Sequence, residues 1–175
     1  MPNSNNLEIS EPDKDGSTPL MFAAEEGDIE KVQALISSGA DVNTKNKKNW
    51  TTLMFAAKKG HNKIVKLLLS HGAEIDTKTS AFGWTALTFA AHFRHPNVVE
   101  TLLENGAEIN ATTVINETAL MFAAKSGNID IVQLLINRGA DLNIKDRYGV
   151  TTLQCAENRG LTEIFQLLKY SGASE

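Results

Sequence analysis

One seven-residue phrase recurs five times and limits what this chain can fold into. Thr51-Thr52-Leu53-Met54-Phe55-Ala56-Ala57 is preceded by Thr18-Pro19-Leu20-Met21-Phe22-Ala23-Ala24. Thr85-Ala86-Leu87-Thr88-Phe89-Ala90-Ala91 and Thr118-Ala119-Leu120-Met121-Phe122-Ala123-Ala124 follow it, and a worn copy, Thr151-Thr152-Leu153-Gln154-Cys155-Ala156-Glu157, comes last. The leading threonines stand 33, 34, 33 and 33 residues apart. A Gly-Ala pair keeps the same beat at Gly39, Gly72, Gly106, Gly139 and Gly172. Two markers locked to one period imply stacked repeats, in which each unit touches only its neighbours.

A single period predicts its own local structure. The threonine is an N-cap whose hydroxyl accepts from the first helical turn. Pro19 follows it at the one helical position where a missing N–H does no harm. Leu53 to Ala57 form a short helix that Gly60 ends in a left-handed conformation. A second helix runs from about Asn62 to Ser70, and a polar, turn-rich stretch from Ala73 to Trp84 projects as an extended finger. Helices this short are unstable alone, since ~12–15 residues is already marginal in water. Each pair must therefore bury its apolar face on the next, and the alanine pairs let the layers approach closely.

The period, Thr-Pro-Leu-x-x-Ala-Ala at Thr18, Gly60-His61, and Gly-Ala-Asp-Val-Asn from Gly39 to Asn43 together resemble the ankyrin repeat. The resemblance covers roughly Pro12 to Ala173. It implies an all-α solenoid of five helix-turn-helix repeats with projecting fingers, at about 12–44, 45–78, 79–111, 112–144 and 145–175, after a tail over 1–11. The Leu-Met-Phe-Ala-Ala wording is similar to a variant common among bacterial members. One departure stands out: the family's usual histidine after Thr-Pro-Leu is replaced by Met21, Met54, Thr88, Met121 or Gln154. The hydrogen bonds that histidine makes between repeats are then expected to be missing, leaving apolar packing to do more. Asn43, Asn110 and Asn143 lie in the family context that is hydroxylated in animal cells.

Composition bounds the rest. At 175 residues and 42% hydrophobic, the chain can bury a substantial core as one domain. A net charge of −4 argues against nucleic acid as the main ligand. The single cysteine, Cys155, excludes an internal disulfide and takes the place of Phe122, as a small buried hydrophobe. Met1 to Ser10 has neither the basic start nor the apolar run of a signal peptide, and no stretch approaches a membrane span. A cytoplasmic location fits, with delivery into a host cell by a route that sequence does not reveal kept open.

The array is uneven along its length. Lys31 and Ala34 replace apolar residues at one end, and Gln154, Glu157 and Lys169 do so at the other. Terminal repeats must turn a polar face to water, so the expectation is a capped, monomeric five-repeat protein. From Glu8 to Glu30 there are eight acidic residues and one lysine, whereas Thr44 to Ala73 holds seven lysines and no acid. The third repeat carries the extra residue, and Arg94 stands where the others have a helix-ending glycine. A left-handed non-glycine there costs roughly 1 kcal/mol.

By the resemblance, partners meet the concave side, built from finger tips and the outward positions of the first helices. Carried over residue by residue, the candidate contacts are Lys47, Lys48, Trp50, Lys58, Lys59, Phe82, Trp84, His92, Phe93, Ile115, Lys125, Arg147 and Tyr148. Both tryptophans fall in this set, at positions the fold does not require to be apolar, so their indoles are expected to stand exposed and unemployed by folding. Rings at the centre and cations at the rim match the anatomy of a protein interface. The bland alternative has Trp50 and Trp84 merely packing against neighbouring fingers. No phosphate loop, nucleophile elbow or metal-ligand spacing appears, and His61, His71, His92 and His95 have no Cys or carboxylate at ligand spacing. No cofactor and no enzymatic activity are expected. The sequence reads as a module that binds another protein, with the lysines favouring an acidic target, as adaptor, inhibitor or scaffold. Two alternatives remain: a bacterial effector acting on host proteins, and an acidic ligand (nucleic acid or phosphoinositide) held by Lys45 to Lys66.

Overall fold

The computed structural model describes residues 11–174; the predicted tail over 1–10 and Glu175 lie outside the described residues. Ten helices follow one another in five pairs: α1 (Pro19–Glu26) and α2 (Ile29–Ser37), α3 (Thr52–Lys59) and α4 (Asn62–Ser70), α5 (Ala86–His92) and α6 (Pro96–Glu104), α7 (Ala119–Ser126) and α8 (Ile129–Asn137), α9 (Thr152–Asn158) and α10 (Thr162–Tyr170). No strand occurs among the described residues. The first helices stack on one another in chain order and the second helices form a parallel layer behind them, an all-α repeat solenoid.

Capping chemistry starts every first helix. Thr18, Thr51, Thr85, Thr118 and Thr151 each accept a backbone N–H three residues on. The variable residue at that third position answers back in three pairs. The Met21 sulfur accepts from the Thr18 N–H at 3.4 Å, the Met54 sulfur from Thr51 at 3.5 Å, and Gln154 Oε1 from Thr151 at 2.9 Å. Sulfur is a weak acceptor, but it occupies an orphan donor that would otherwise be buried unpaired. Between the layers the alanine pairs at 23–24, 56–57, 90–91 and 123–124 are fully buried, with Leu20, Leu53, Leu87 and Leu120 beside them. Cys155 is buried as expected, at the position of Phe122.

Histidines at other positions than the one replaced by Met21, Met54, Thr88, Met121 or Gln154 tie neighbouring pairs together. His61 Nε2 lies 3.1 Å from the carbonyl of Glu25, and His95 Nε2 lies 2.9 Å from that of Lys58. These histidines sit at the entry of α4 and α6, not in the first helices. Each ring rests on the preceding pair's glycine, where a Cβ would come within 2.6 Å (Gly27) or 2.5 Å (Gly60) of it. Where that glycine is Arg94, held left-handed at φ 66°, the next pair carries Asn128 in place of the histidine. Asn128 caps its own helix, accepting from the Ile131 N–H at 3.0 Å. The last seam is closed by Arg159, whose Nη1 donates to the Lys125 carbonyl at 2.8 Å.

Each finger turn is fastened from within and to its neighbour. Asp13, Asn46, Thr79, Thr113 and Asp146 accept backbone N–H groups from the residues that follow them, Ser17, Trp50, Trp84, Glu117 and Val150 among these. Lys47, Ser80, Val114 and Arg147 then donate their backbone N–H to the carbonyls of Asp15, Lys48, Phe82 and Ile115 in the preceding finger, at 2.9–3.1 Å. At the finger bases, Asn43, Asn110 and Asn143 accept from the Glu74, Asp141 and Ser174 N–H groups at 2.8, 2.9 and 2.8 Å. The fingers are therefore a laced row and not five independent loops.

Candidate partner-binding face

The residue before each capping threonine is in register with the fourth residue of the helix that threonine caps. In chain order the first position holds Ser17, Trp50, Trp84, Glu117 and Val150, and the second holds Phe22, Phe55, Phe89, Phe122 and Cys155. This phenylalanine column lies on the finger side of the first helices, so whatever precedes the threonine acts as its roof. Trp50 lies 5.0 Å from Phe55 and 4.6 Å from Phe89, ring centre to ring centre. Trp84 repeats the arrangement with Phe89 at 5.0 Å and Phe122 at 4.8 Å. Each indole thus spans its own helix pair and the next, at tilted or edge-on angles that suit aromatic quadrupoles.

Here the expectation of free-standing indoles is corrected. Trp50 and Trp84 are half-buried and employed in packing, and what they stiffen is the phenylalanine column rather than the fingers. Around them the other candidate rings extend the patch. Phe82 lies 6.4 Å from Trp84 and is 65% exposed, His92 lies 5.1 Å from Trp84, and Phe93 packs edge-on against His92 at 4.8 Å. Burial against these rings pushes the His92 imidazole below its ordinary pKa, with the Glu117 carboxylate pulling the other way. Tyr148 is 75% exposed on the last finger beside the Arg147 guanidinium, 5.7 Å from its ring. Ile115 is only half-buried and lends its carbonyl to the finger row; its neighbour Val114 is the exposed tip.

The cations are mostly engaged. Lys47 donates to the Lys14 carbonyl at 2.7 Å, and Lys48 pairs with Asp15 at 3.6 Å. Lys58 and Lys59 share Glu25 at 3.8 and 3.4 Å, and the Lys58 amine also stands 5.3 Å from the Trp50 ring. Lys45 pairs with Glu74, whose pKa its hydrogen bond lowers. Such exposed and half-exposed pairs contribute little to stability and exchange readily. Asp15 of the first finger and Glu25 of the first helix thus face Lys48, Lys58 and Lys59 across the seam and neutralise them in part.

Lys125 is different. Its amine is bound to Glu117, a carboxylate only 8% exposed that occupies the position of the indoles. Burial lowers the amine's pKa, but the hydrogen bond to Glu117 and the charges of Cys155, Glu117 and Asp146 outweigh it, and the net displacement is upward. Burial raises the Cys155 thiol. Glu117 was missed as a site residue because a glutamate beside a threonine cap reads as solvated surface. Its register with Trp50 and Trp84 was the available signal.

Among the described residues no group of His, Cys, Asp and Glu side chains could hold a metal ion, and no helix is long and apolar enough to cross a membrane. A family model described as ankyrin repeats (3 copies) matches residues 3–46, 20–113 and 113–174. No curated protein matches the chain.

Proposed function

We propose that the chain, which belongs to the ankyrin repeat family, binds another protein through the face formed by its finger tips and first helices. Repeats of this family are generally protein–protein interaction modules and typically not enzymes. We read the five helix pairs as five repeats with the boundaries that the sequence spacing predicts. The observation that carries the reading is the continuous aromatic patch of Phe82, Trp84, His92 and Phe93 at the third pair. Its inner rings are clamped by the phenylalanine column and its outer rings are open to solvent. Rings already held in place lose little conformational freedom on binding, which favours affinity.

This division of labour sets roles for the candidates. Phe82, Phe93 and Tyr148 make the free contacts, with His92 between the patch and solvent. Trp50 and Trp84 form the rigid floor. Lys47, Lys48, Lys58, Lys59 and Arg147 form an exchangeable rim, able to release their internal partners to a carboxylate on the bound protein. With Lys48, Lys58 and Lys59 already paired within the chain, recognition rests on the rings more than on an acidic target. Those pairs, with Lys45–Glu74, weigh against an acidic ligand held by Lys45 to Lys66. The face would serve equally in the cell's own cytoplasm or in a host cell, which fractionation distinguishes.

The test is affinity capture by the intact protein beside a Phe82→Ser/Tyr148→Ser variant. Both side chains are too exposed for the change to disturb folding. A partner held by the first and lost by the second, at equal melting temperature, supports the reading. A partner retained equally by both overturns it.

A further inference from the structure

The first helix pair has a roofing position without a roof. Its turn is built like the next one: Asp13 Oδ1 accepts from the Ser17 N–H at 2.8 Å, as Asn46 Oδ1 accepts from the Trp50 N–H at 3.0 Å. The backbone thus directs residue 17 as it directs residue 50. In register with Trp50, a ring at position 17 would lie over Phe22 and Phe55. Ser17 instead ends in a hydroxyl that accepts from Asn46 Nδ2 at 3.0 Å. Between Phe22, Phe55 and Trp50 a slot of about 280 Å³ stays open. Phe22 is 39% exposed, whereas Phe89 and Phe122, which lie under indoles, are 4% and 7% exposed.

We propose that this slot receives one aromatic side chain, tryptophan by preference, from a partner protein segment. The proposal rests on the reading of the finger-side face given above. The ring preference follows from the chain's own solution to the same geometry two times over, at Trp50 and Trp84. At about 280 Å³ the slot is smaller than the ~300–1,000 Å³ of small-molecule and cofactor pockets, which suits a single side chain. The rim of the slot carries both signs, Asp13 and Asp15 with Lys48 and Lys58, so the ring and not a charge selects the occupant.

The experiment is an NMR titration of the full chain with two short peptides, acetyl-Trp-Ser-amide and acetyl-Leu-Ser-amide. The first should give saturable shifts confined to Phe22, Phe55 and the Trp50 indole, with the leucine peptide binding about fivefold more weakly or worse. Ser17→Trp should fill the slot with an internal ring, abolish the response and leave the melting temperature at or above the parent's. Should that variant fail to fold, Phe22→Ala, at a partly exposed position, must abolish the response in its place. Absence of saturable shifts, equal binding of the leucine peptide, or an undiminished response in the folded variant overturns the proposal. The probes are peptides and not the cellular partner. Failure here removes the slot alone, whereas the wider reading falls only if the Phe82/Tyr148 variant keeps its partner.

Discussion

The third and fourth helix pairs cover the same phenylalanine column with opposite chemistry. At the third pair Trp84 lies on Phe89 and Phe122 with His92 at its edge. At the fourth, Glu117 and Lys125 take the places of Trp84 and His92 and meet as an ion pair with little access to water. The aromatic roof is held by area and dispersion, which are tolerant of small shifts. The ionic roof is held by two charges that have each lost hydration, so it is worth little over an apolar pair yet costly to break. One backbone register therefore supports two surfaces, an adaptable patch of rings beside a rigid polar block.

That contrast is open to attack, beginning with its weaker side. Glu117→Ala should lower stability by about 2–3 kcal/mol in urea unfolding. This is less than the ~3–5 kcal/mol of a fully buried pair, because Lys125 regains some water. A loss below about 1 kcal/mol would mean that the pair behaves as ordinary surface. Trp84→Ala should cost about 2 kcal/mol, roughly half of the ~3–5 typical of a wholly buried indole, and should weaken partner capture as well. If capture falls with stability intact, the indole is free after all and the sequence-based expectation of an unemployed ring stands.

Smaller effects are expected from changes that keep both roofs covered. Glu117→Leu combined with Lys125→Met replaces the ionic roof by an apolar one of similar volume, and stability should stay within about 1 kcal/mol of the parent or rise. A double variant as damaged as Glu117→Ala would show that the column needs charge at this point. The smallest effect is a pH dependence confined to the aromatic side. His92 has a lowered pKa in the folded state, so as pH falls through the ordinary histidine value of about 6.5 the unfolded chain takes the proton first. Stability is then complete above that value, declines on acidification and levels off below the folded pKa. His92→Gln should flatten that part of a melting-temperature profile relative to the parent.

Much of the fold was legible because it is written in local chemistry. The threonine caps, Pro19 and Pro96 at first helical positions, and the left-handed backbone at Gly27, Gly60 and Gly127 all act within a few residues of themselves. The seam between pairs was read less well. Attention to the missing histidine of the first helix concealed His61 and His95, which reach back 36 and 37 residues to a carbonyl. The candidate face was legible as a set of positions and misread in its energetics. Trp50 and Trp84 were rightly placed on the finger side, but a ring's exposure depends on the phenylalanine of the following pair, 39 or 38 residues away.

The sequence alone determined the period, the ten helices, their caps and which residues share a column, because hydrogen bonding and side-chain periodicity act at short range and repeat with the chain. The tertiary structure decided which members of a column are covered. Stacking sets each roof over two helix pairs at once, so Ser17 leaves Phe22 open, Trp84 closes Phe122, and Glu117 is drawn out of water onto Lys125. Burial is a property of the neighbours a residue acquires, and those neighbours are fixed only when one pair settles on the next.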